Sequence, residues 1–159
     1  MIRSLFETHL TVRDLPKSIA FYQNVVGLEL AYELPARNVA FMWIGGRGKA
    51  MLGLWGAGSS PISLKLHLAF DVALADILAA PNKLRTAGVT PLGFNGEEVH
   101  EPVVIAWMPA ASLYFQDPDG HSLEYLAILP DAPQPESGIV SYSQWQTTQV
   151  PSTSEVRGN

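Results

Sequence analysis

Alternating apolar and polar positions predict a short strand near the start of the chain, followed by an amphipathic helix. Residues 5–12 alternate in the way that is typical of a half-buried strand. Asp14 can cap a helix with Pro16 in its first turn, and apolar side chains then recur at helical spacing until Gly27. The next strands are expected over residues 28–34, 39–44 and 50–55.

The second half of the chain predicts the same order of elements. Residues 64–70 indicate a strand, and residues 73–87 indicate a helix that Gly88 ends. Pro81 lies inside this helix and is expected to kink it, because proline removes a backbone donor. The later strands are expected over residues 90–94, 111–116 and 121–128, the last two joined by the turn 117–120.

An internal repeat relates the two halves. His9 in the segment THLTV and His67 in the segment LHLAF occupy the same point of the first strand in each half. The chain therefore predicts an α+β fold built from two βαβββ modules. The expected organisation is a single domain over residues 1–130, with module one at 4–56, a linker rich in Gly and Ser at 56–63, and module two at 64–129.

The composition changes after the second module. Closely spaced prolines and frequent Ser, Thr and Gln predict a loosely held tail over residues 131–159. Val140, Tyr142 and Trp145 are an exception, because they form a small apolar cluster that could dock on the body or on a second subunit.

Composition and charge limit the classes of function. A chain of 159 residues with a formal net charge of -5 offers no basic patch for phosphates, so a small-molecule partner is expected and a nucleic acid is not. Neither a signal peptide nor a membrane span is indicated, and a cytoplasmic location is expected. The absence of Cys leaves His, Asp and Glu as the strong metal ligands.

His9, His67 and Glu124 are the candidate metal ligands. Each histidine alone is more typical of a hydrogen-bonded core residue. Glu124 lies between apolar neighbours and is a stronger indication of a functional site, because carboxylates are rarely buried without a partner. Two imidazoles and one carboxylate suit Fe(II), Mn(II), Zn(II) or Ni(II) and leave coordination positions open for a substrate. The sequence therefore predicts one divalent ion, which could act as a Lewis acid or bring a substrate and dioxygen together.

Three segments carry a resemblance to a known family. HLTVRDLPKSIAFYQNVVGLEL, LHLAF and LYFQDPDGHSLEYLA resemble the signature segments of the vicinal oxygen chelate superfamily. This superfamily includes glyoxalase I, extradiol dioxygenases, fosfomycin-resistance enzymes and bleomycin-binding proteins. The resemblance covers residues 4–128 and implies paired modules curled into an open, mixed β-sheet barrel, with metal ligands where His9, His67 and Glu124 lie. It also implies a homodimer.

Departures from the family pattern narrow the reaction. Glyoxalase I carries a second Glu where this chain has Gly53 or, with a slip of one residue, Leu52, so a lactoylglutathione lyase is disfavoured. Fosfomycin-modifying relatives share the ligand set, Thr11 and a Tyr at Tyr114, but they also need a basic pocket for the phosphonate. Residues 125–135 contain no Lys or Arg, so that pocket is not expected.

Tyr114 and His100 are the candidate catalytic residues. Extradiol dioxygenases carry a Tyr about ten residues before the Glu ligand, as Tyr114 precedes Glu124, although a core aromatic is an equal alternative. Those enzymes also use an acid–base His, for which His100 is the candidate, the alternative being an exposed loop histidine. His121 belongs to the DPDGH turn and is interpreted as structural.

The loop over residues 95–109 has no counterpart in the first half. It is interpreted as a lid or pocket wall, or alternatively as a surface insertion with Trp107 buried in the core.

Two functions remain open. The first is a metal-dependent lyase, isomerase or dioxygenase acting on a small substrate chelated through vicinal oxygens. The second is a metal-independent protein that binds or sequesters a small molecule, as bleomycin-resistance proteins do.

Overall fold

The structure is a computed structural model, and it describes residues 4–58 and 64–148. Most of the predicted linker and the end of the predicted tail therefore lie outside the described residues. The chain forms two compact units. Unit one runs to Leu68 and includes Gln116–Ser122, and unit two contains Ala69–Phe115 and the residues from Leu123 onward. The turn before the last predicted strand thus packs with the first half.

Unit one contains a sheet of four strands. Its elements are β1 (Glu7–Val12), α1 (Leu15–Phe21) with a following π turn (Tyr22–Val26), β2 (Glu29–Leu34), β3 (Val39–Ile44) and β4 (Ala50–Gly56). The strand order is β1-β4-β3-β2, with β1 parallel to β4 and the other pairs antiparallel. The Asp14 side chain accepts a hydrogen bond from the Lys17 backbone at 3.0 Å and so caps α1 as predicted.

The two faces of this first sheet differ. One face is fully buried and packs beneath α1, and it includes Leu10, Leu52 and Met42. The opposite face carries aromatic side chains that are only half-buried, including Phe41 and Trp55. Because successive side chains of a strand alternate between faces, this second face is the one that β1 shares through His9.

The second sheet has five strands. Its elements are β5 (His67–Asp71), α2 (Leu74–Thr86), β6 (Val103–Ile105), β7 (Ala110–Gln116), β8 (Ser122–Ile128), β9 (Ile139–Ser141) and α3 (Tyr142–Thr148). The strand order is β5-β8-β7-β6-β9. Helix α2 includes Pro81 within its span. The predicted α+β fold with βαβββ order is confirmed, and the sheets are mixed.

The prediction of a strand over residues 90–94 is wrong. Only Leu92 pairs there, through isolated bridges to Glu98 and Tyr114. The structure instead has strand β6, whose three buried residues belong to the segment predicted as a lid or pocket wall, or as a surface insertion. Pro and Gly on either side of Leu92 interrupt the ladder, whereas the β-branched residues of β6 favour extended backbone.

Residues 139–148 of the predicted tail, which include the apolar cluster of Val140, Tyr142 and Trp145, form a strand and a helix. Strand β9 pairs antiparallel with β6, and α3 follows it. Trp145 is 1% exposed, and its indole donates a hydrogen bond to Asp131 at 2.8 Å. The Glu101 carboxylate accepts the backbone N–H of Ser143 at 3.0 Å. Docking of the apolar cluster on the body is confirmed for unit two.

None of the helices in the described ranges has the length and apolar character of a membrane span.

Candidate functional site

The His9 ring packs against the backbone of Gly53 and lies near two aromatic rings. It pairs with Gly53 across β1 and β4, and a Cβ atom at Gly53 would lie 2.5 Å from His9 Cδ2. The imidazole centroid is 5.6 Å from that of Trp55 and 6.4 Å from that of Phe41. The side chain is 47% exposed, and its Nε2 is 3.0 Å from Glu7 Oε1. Apolar packing therefore holds the ring while one edge stays accessible.

The strand register identifies the residue beside His9. Gly53 is its partner on β4, whereas Leu52 pairs with Thr8 and is fully buried on the opposite face. Of the two alternatives left by the sequence, Gly53 is thus the residue that lies beside His9 on this face. It has no side chain to bind a metal.

His67 is held by a polar contact instead. It opens β5, and its Nδ1 lies 3.2 Å from Ser122 Oγ. The backbone of Ser122 donates to Leu66 O at 2.8 Å, which fixes the two strands side by side at this point. Strands β5 and β8 are neighbours in the second sheet, and Glu124 follows Ser122 by two residues on β8. Glu124 and Ser122 therefore face the same side of β8.

Asp117 organises the turn that leads into Ser122. Its Oδ1 accepts the backbone N–H groups of Asp119 and His121, each at 2.9 Å. Its Oδ2 accepts the buried hydroxyl of Tyr22 at 2.9 Å. Burial, together with the charge of Asp117, raises the pKa of Tyr22 far above its ordinary value, so the phenol stays protonated.

His121 is structural, as the sequence predicted. It is 2% exposed and both ring nitrogens are used. Nδ1 accepts the backbone N–H of Leu66 at 3.1 Å, and Nε2 donates to the Thr11 carbonyl at 2.9 Å. These two bonds require a single neutral tautomer. His121 therefore ties the end of β1 to the residues that precede β5.

Asp119 completes this turn with an ion pair. Its carboxylate accepts from Arg13 Nε at 2.9 Å and from Ser18 Oγ at 3.3 Å. Burial of the carboxyl acts to raise its pKa, but the bonds and charge of Arg13, with a further bond from Ser18, hold the pKa of Asp119 below its usual value. The turn thus contains a carboxylate that is stabilised in its charged form.

Tyr114 and Glu124 are brought together in unit two. Glu124 is 4% exposed. Burial and then the Glu124 carboxylate, which accepts a hydrogen bond from the phenol, raise the pKa of Tyr114 well above its ordinary value. The Tyr114 ring also packs edge-on against Phe94, with centroids 6.1 Å apart. Tyr114 is therefore a protonated phenol beside a buried carboxylate, and a catalytic role for it stays a prediction.

His100 lies on the exposed loop after α2. Its Nδ1 is 3.0 Å from Arg85 Nη2, and the same guanidinium donates to the Val99 carbonyl. Trp107 is 63% exposed, so the idea that it pins this insertion into the core is wrong. An acid–base role for His100 stays a prediction.

The three predicted metal ligands are distributed over the two sheets. Within residues 4–58 and 64–148, no group of three His, Asp or Glu side chains could hold a metal ion. His67 and Glu124 lie on neighbouring strands of the second sheet, whereas His9 lies on the first sheet. Convergence of all three stays a prediction.

Sequence reasoning missed three residues that surround these histidines. Ser122 supports His67, and Phe41 and Trp55 flank His9. Alternation along β4 places Trp55 on the same face as Gly53, a signal that the sequence contains, whereas the position of Phe41 depends on the register of β3 against β4. The contact of Ser122 depends on the pairing of β5 with β8, which the sequence pattern does not specify.

Known proteins share this architecture. Residues 4–125 match the profile of the Glyoxalase/Bleomycin resistance protein/Dioxygenase superfamily. The chain is 33% identical over 133 residues to glutathione transferase FosA of Serratia marcescens, a match that covers 78% of this chain and 80% of FosA. These two findings cover most of the chain and agree with the resemblance seen in its signature segments.

Solved structures agree with that assignment. An integron cassette protein, HFX_CASS4, from the mobile metagenome of Halifax Harbour sewage outfall superposes with a TM-score of 0.68 at 35% identity, covering 80% of this chain and all (100%) of that one. Fosfomycin resistance protein FosX from Listeria monocytogenes, complexed with Mn(II) and sulfate ion, gives a TM-score of 0.59 at 25% identity, covering 82% and 94%. The chain belongs to the Glyoxalase/Bleomycin resistance protein/Dioxygenase superfamily.

Proposed function

We propose that this chain is a divalent-metal-dependent enzyme of lyase, isomerase or dioxygenase type. Its substrate is a small molecule that chelates the ion through two neighbouring oxygens. His9, His67 and Glu124 are the proposed ligands. The proposal includes a homodimer and a cytoplasmic location, and light scattering on the purified protein tests the first of these.

The buried carboxylate of Glu124 is the observation that carries the proposal. A carboxylate that is 4% exposed on an otherwise apolar strand is costly unless it is hydrogen-bonded or coordinates a metal. Its phenol partner, Tyr114, supplies one bond. The Glu124 carboxylate is a hard oxygen ligand that would suit a divalent ion, and the imidazole of His67 lies on the neighbouring strand.

The available donors fit a first-row divalent ion. Both histidines are exposed, so their nitrogens can reach an ion, and the chain adds no thiolate that would select a softer metal. Fe, Mn, Zn and Ni are all compatible with this set. FosX, a relative in this superfamily, is solved in complex with Mn(II). When bound, such an ion would polarise a substrate oxygen and lower the pKa of a coordinated hydroxyl.

Side chains around the ion would orient its ligands and hold or donate protons. Ser122 orients the His67 ring through Nδ1, and Nε2 would be the coordinating nitrogen. Tyr114 keeps its proton at neutral pH and can donate a hydrogen bond to a substrate oxygen or to Glu124. His100 is the proposed acid–base residue on its loop. The absence of a carboxylate at Gly53 disfavours proton transfer of the glyoxalase type.

Metal stoichiometry tests the proposal. The purified full chain is stripped with chelator, reloaded separately with Mn(II), Fe(II), Zn(II) or Ni(II), and analysed by elemental mass spectrometry. We expect about one ion per chain for at least one metal, and at least a ~100-fold loss of affinity in His67→Ala and in Glu124→Gln. Circular dichroism and thermal melting establish that each variant is folded.

Two matched variants act as controls. His100→Ala removes an exposed histidine from a loop, and Glu98→Gln removes an exposed carboxylate, and both should retain the ion. If the two ligand variants bind metal as the unaltered chain does, the enzyme proposal fails. The half-buried aromatic face of the first sheet would then favour the alternative, a metal-independent protein that binds or sequesters a small molecule.

A further inference from the structure

Unit one contains a cavity where the end of β1 meets the turn that precedes β8. Its volume is about 330 Å³, which lies at the lower end of the range of pockets that hold small ligands. All of its lining residues belong to unit one: Thr11, Arg13, Leu64, Lys65, Asp119 and His121. The proposed metal ligands are not among them, so the proposed function gives this cavity no role.

One wall of the cavity is an ion pair that is already complete. Asp119 Oδ1 accepts hydrogen bonds from the backbone N–H of Arg13 at 3.0 Å and from its Nε at 2.9 Å. Ser18 Oγ donates to the other carboxylate oxygen at 3.3 Å. The charges of Arg13 and Asp119 therefore offset each other, and this wall adds little net charge to the cavity. Both ring nitrogens of His121 are bonded to backbone groups as well.

Lys65 is the cation of this cavity whose charge is not offset. It forms no ion pair with a carboxylate in the part of the chain that the structure describes. Its side chain lies across Gly120, where an added Cβ atom would be 3.2 Å from Lys65 Nζ and 3.3 Å from Cε. Gly120 has a left-handed φ of 83°, a conformation that favours glycine. The turn therefore leaves room for the ammonium group beside its backbone.

The backbone on both sides of this ammonium group is held by hydrogen bonds. His121 Nδ1 accepts the backbone N–H of Leu66, the residue after Lys65, at 3.1 Å. Asp117 Oδ1 accepts the backbone N–H groups of Asp119 and His121, each at 2.9 Å, and so fixes the turn. Because a fixed backbone has little freedom left to lose, a ligand would bind here at a small cost in conformational entropy.

We propose that this cavity binds a small organic monocarboxylate, whose carboxylate pairs with Lys65 and whose apolar body lies against Leu64. One ammonium group that is not offset matches one negative charge, and hydrogen bonds between charged groups are stronger than neutral ones. A dianion such as a phosphate monoester would bring its second charge toward Asp119, where like charges repel. Leu64 is 60% exposed, so covering its side chain with an apolar group is favourable.

The inference goes beyond the proposed function, because the site does not require the metal ion. Its test is carried out on chelator-treated protein, so that a carboxylate cannot bind a metal ion instead. A failure of metal binding in the earlier experiment therefore leaves this test unaffected.

The test uses phenylacetate and its neutral analogue phenylacetamide as probes, with phenyl phosphate as the dianion. Titrations are followed by the assigned backbone amide signals of Gly120 and His121 in ¹H–¹⁵N spectra of the full chain. We expect both signals to shift with phenylacetate, which should bind about tenfold more tightly than phenylacetamide. It should also bind more tightly than phenyl phosphate at about pH 8, where the phosphate carries two charges. Lys65→Gln should abolish the preference for the carboxylate over the amide.

Lys49→Gln is the matched control. Lys49 is an exposed lysine of the same unit, and it too forms no ion pair within residues 4–58 and 64–148. Its substitution removes the same charge from the protein and should leave the preference for phenylacetate unchanged.

Four results would overturn the inference. The first is equal affinity for phenylacetate and phenylacetamide in the unaltered protein. The second is tighter binding of phenyl phosphate than of phenylacetate, which would contradict the choice of a monoanion. The third is an equal loss of preference in Lys65→Gln and Lys49→Gln, which would show only a general effect of positive charge. The fourth is a response at other amide signals with none at Gly120 or His121, which would place the probe elsewhere.

Discussion

The repeat places His9 and His67 at the same point of the first strand in each half, yet the chain holds the two imidazoles by different means. His9 rests on the backbone of Gly53 between aromatic rings. His67 contacts the hydroxyl of Ser122, at the end of a turn organised by Asp117. His9 is thus positioned by packing on Gly53 and by Glu7, 3.0 Å from its Nε2, whereas His67 is positioned by its contact with Ser122. A repeated fold can preserve the position of a histidine while the residues that support it differ.

The largest effect is expected from removing the centre of the polar support. Asp117→Ala would leave two backbone N–H groups and the buried Tyr22 hydroxyl without their acceptor. Because each unsatisfied buried group costs about 1–3 kcal/mol, we expect a loss of roughly 3–5 kcal/mol in the free energy of unfolding. Chemical denaturation measures this loss.

Asp76→Ala is the control for that substitution. Asp76 lies on the surface of α2, and its carboxylate is 3.9 Å from Lys83 Nζ. A surface pair of this kind contributes about 0–1 kcal/mol. Equal stabilities of the two variants would contradict the role assigned to Asp117.

The next effect tests the apolar support of His9. In Gly53→Ala the new methyl group would overlap the imidazole, because the Cβ position is 2.5 Å from His9 Cδ2. We expect a destabilisation of about 1–3 kcal/mol. The penalty should largely disappear in a His9→Ala background, as a double-mutant cycle measured by denaturation would show. Additive effects would mean that the two residues do not interact.

A smaller effect is expected at the contact between Ser122 and His67. Ser122→Ala removes the hydroxyl 3.2 Å from His67 Nδ1. Since such partners fix the tautomer and orientation of a ligating imidazole, metal affinity should fall by about tenfold. Stability should change by less than about 1 kcal/mol. Competition with a chelating dye measures the affinity.

Ser137→Ala provides the comparison for that variant, because Ser137 lies in a short 3-10 turn before β9. It should leave metal affinity unchanged. A Ser122→Ala chain that binds metal as tightly as the Ser137→Ala chain would show that His67 needs no support from Ser122.

The smallest effect is a pH dependence of the free energy of unfolding, caused by the ion pair of Asp119 with Arg13. The folded-state pKa of Asp119 is lowered by Arg13, so its stabilisation is fully present above the pKa of the unfolded chain, about 3.9. It is lost as pH falls through the lower, folded-state pKa. Arg13 is 77% exposed, which limits the contribution to about 1 kcal/mol or less.

Asp119→Asn tests this expectation. Unfolding free energies of the variant and of the unaltered chain should differ at pH values near neutrality and converge under acid conditions. A difference that widens on acidification would reverse the sign of the linkage and contradict the assigned ion pair.

Much of the fold could be predicted from the sequence, since it depends on local patterns. The alternation around His9 and His67 identified the repeat, and Asp14 and Gly27 bounded the first helix as expected. Strands β6 and β9 were missed. Each has three residues, too few for a periodic signal, and each is stabilised by pairing with the other across a long stretch of chain.

The candidate site, like the fold, could be predicted from the sequence only in part. Tyr114 was singled out by its spacing of ten residues from Glu124, and the Glu124 carboxylate lies near enough to raise the pKa of its phenol. The contact of His9 with Gly53 required the register of β1 against β4. The position of Lys65 across Gly120 required the geometry of a turn. Registers and turns depend on tertiary contacts, which a single sequence pattern does not contain.

The pairing of β9 with β6 has a practical consequence for truncated versions of the protein. A fragment ending where the family match ends, at residue 125, would lack the last residues of β8 together with β9 and α3. It would present β6 as an unprotected sheet edge, a template for intermolecular strand addition. Such a fragment should aggregate, whereas a boundary placed after α3 keeps the edge covered.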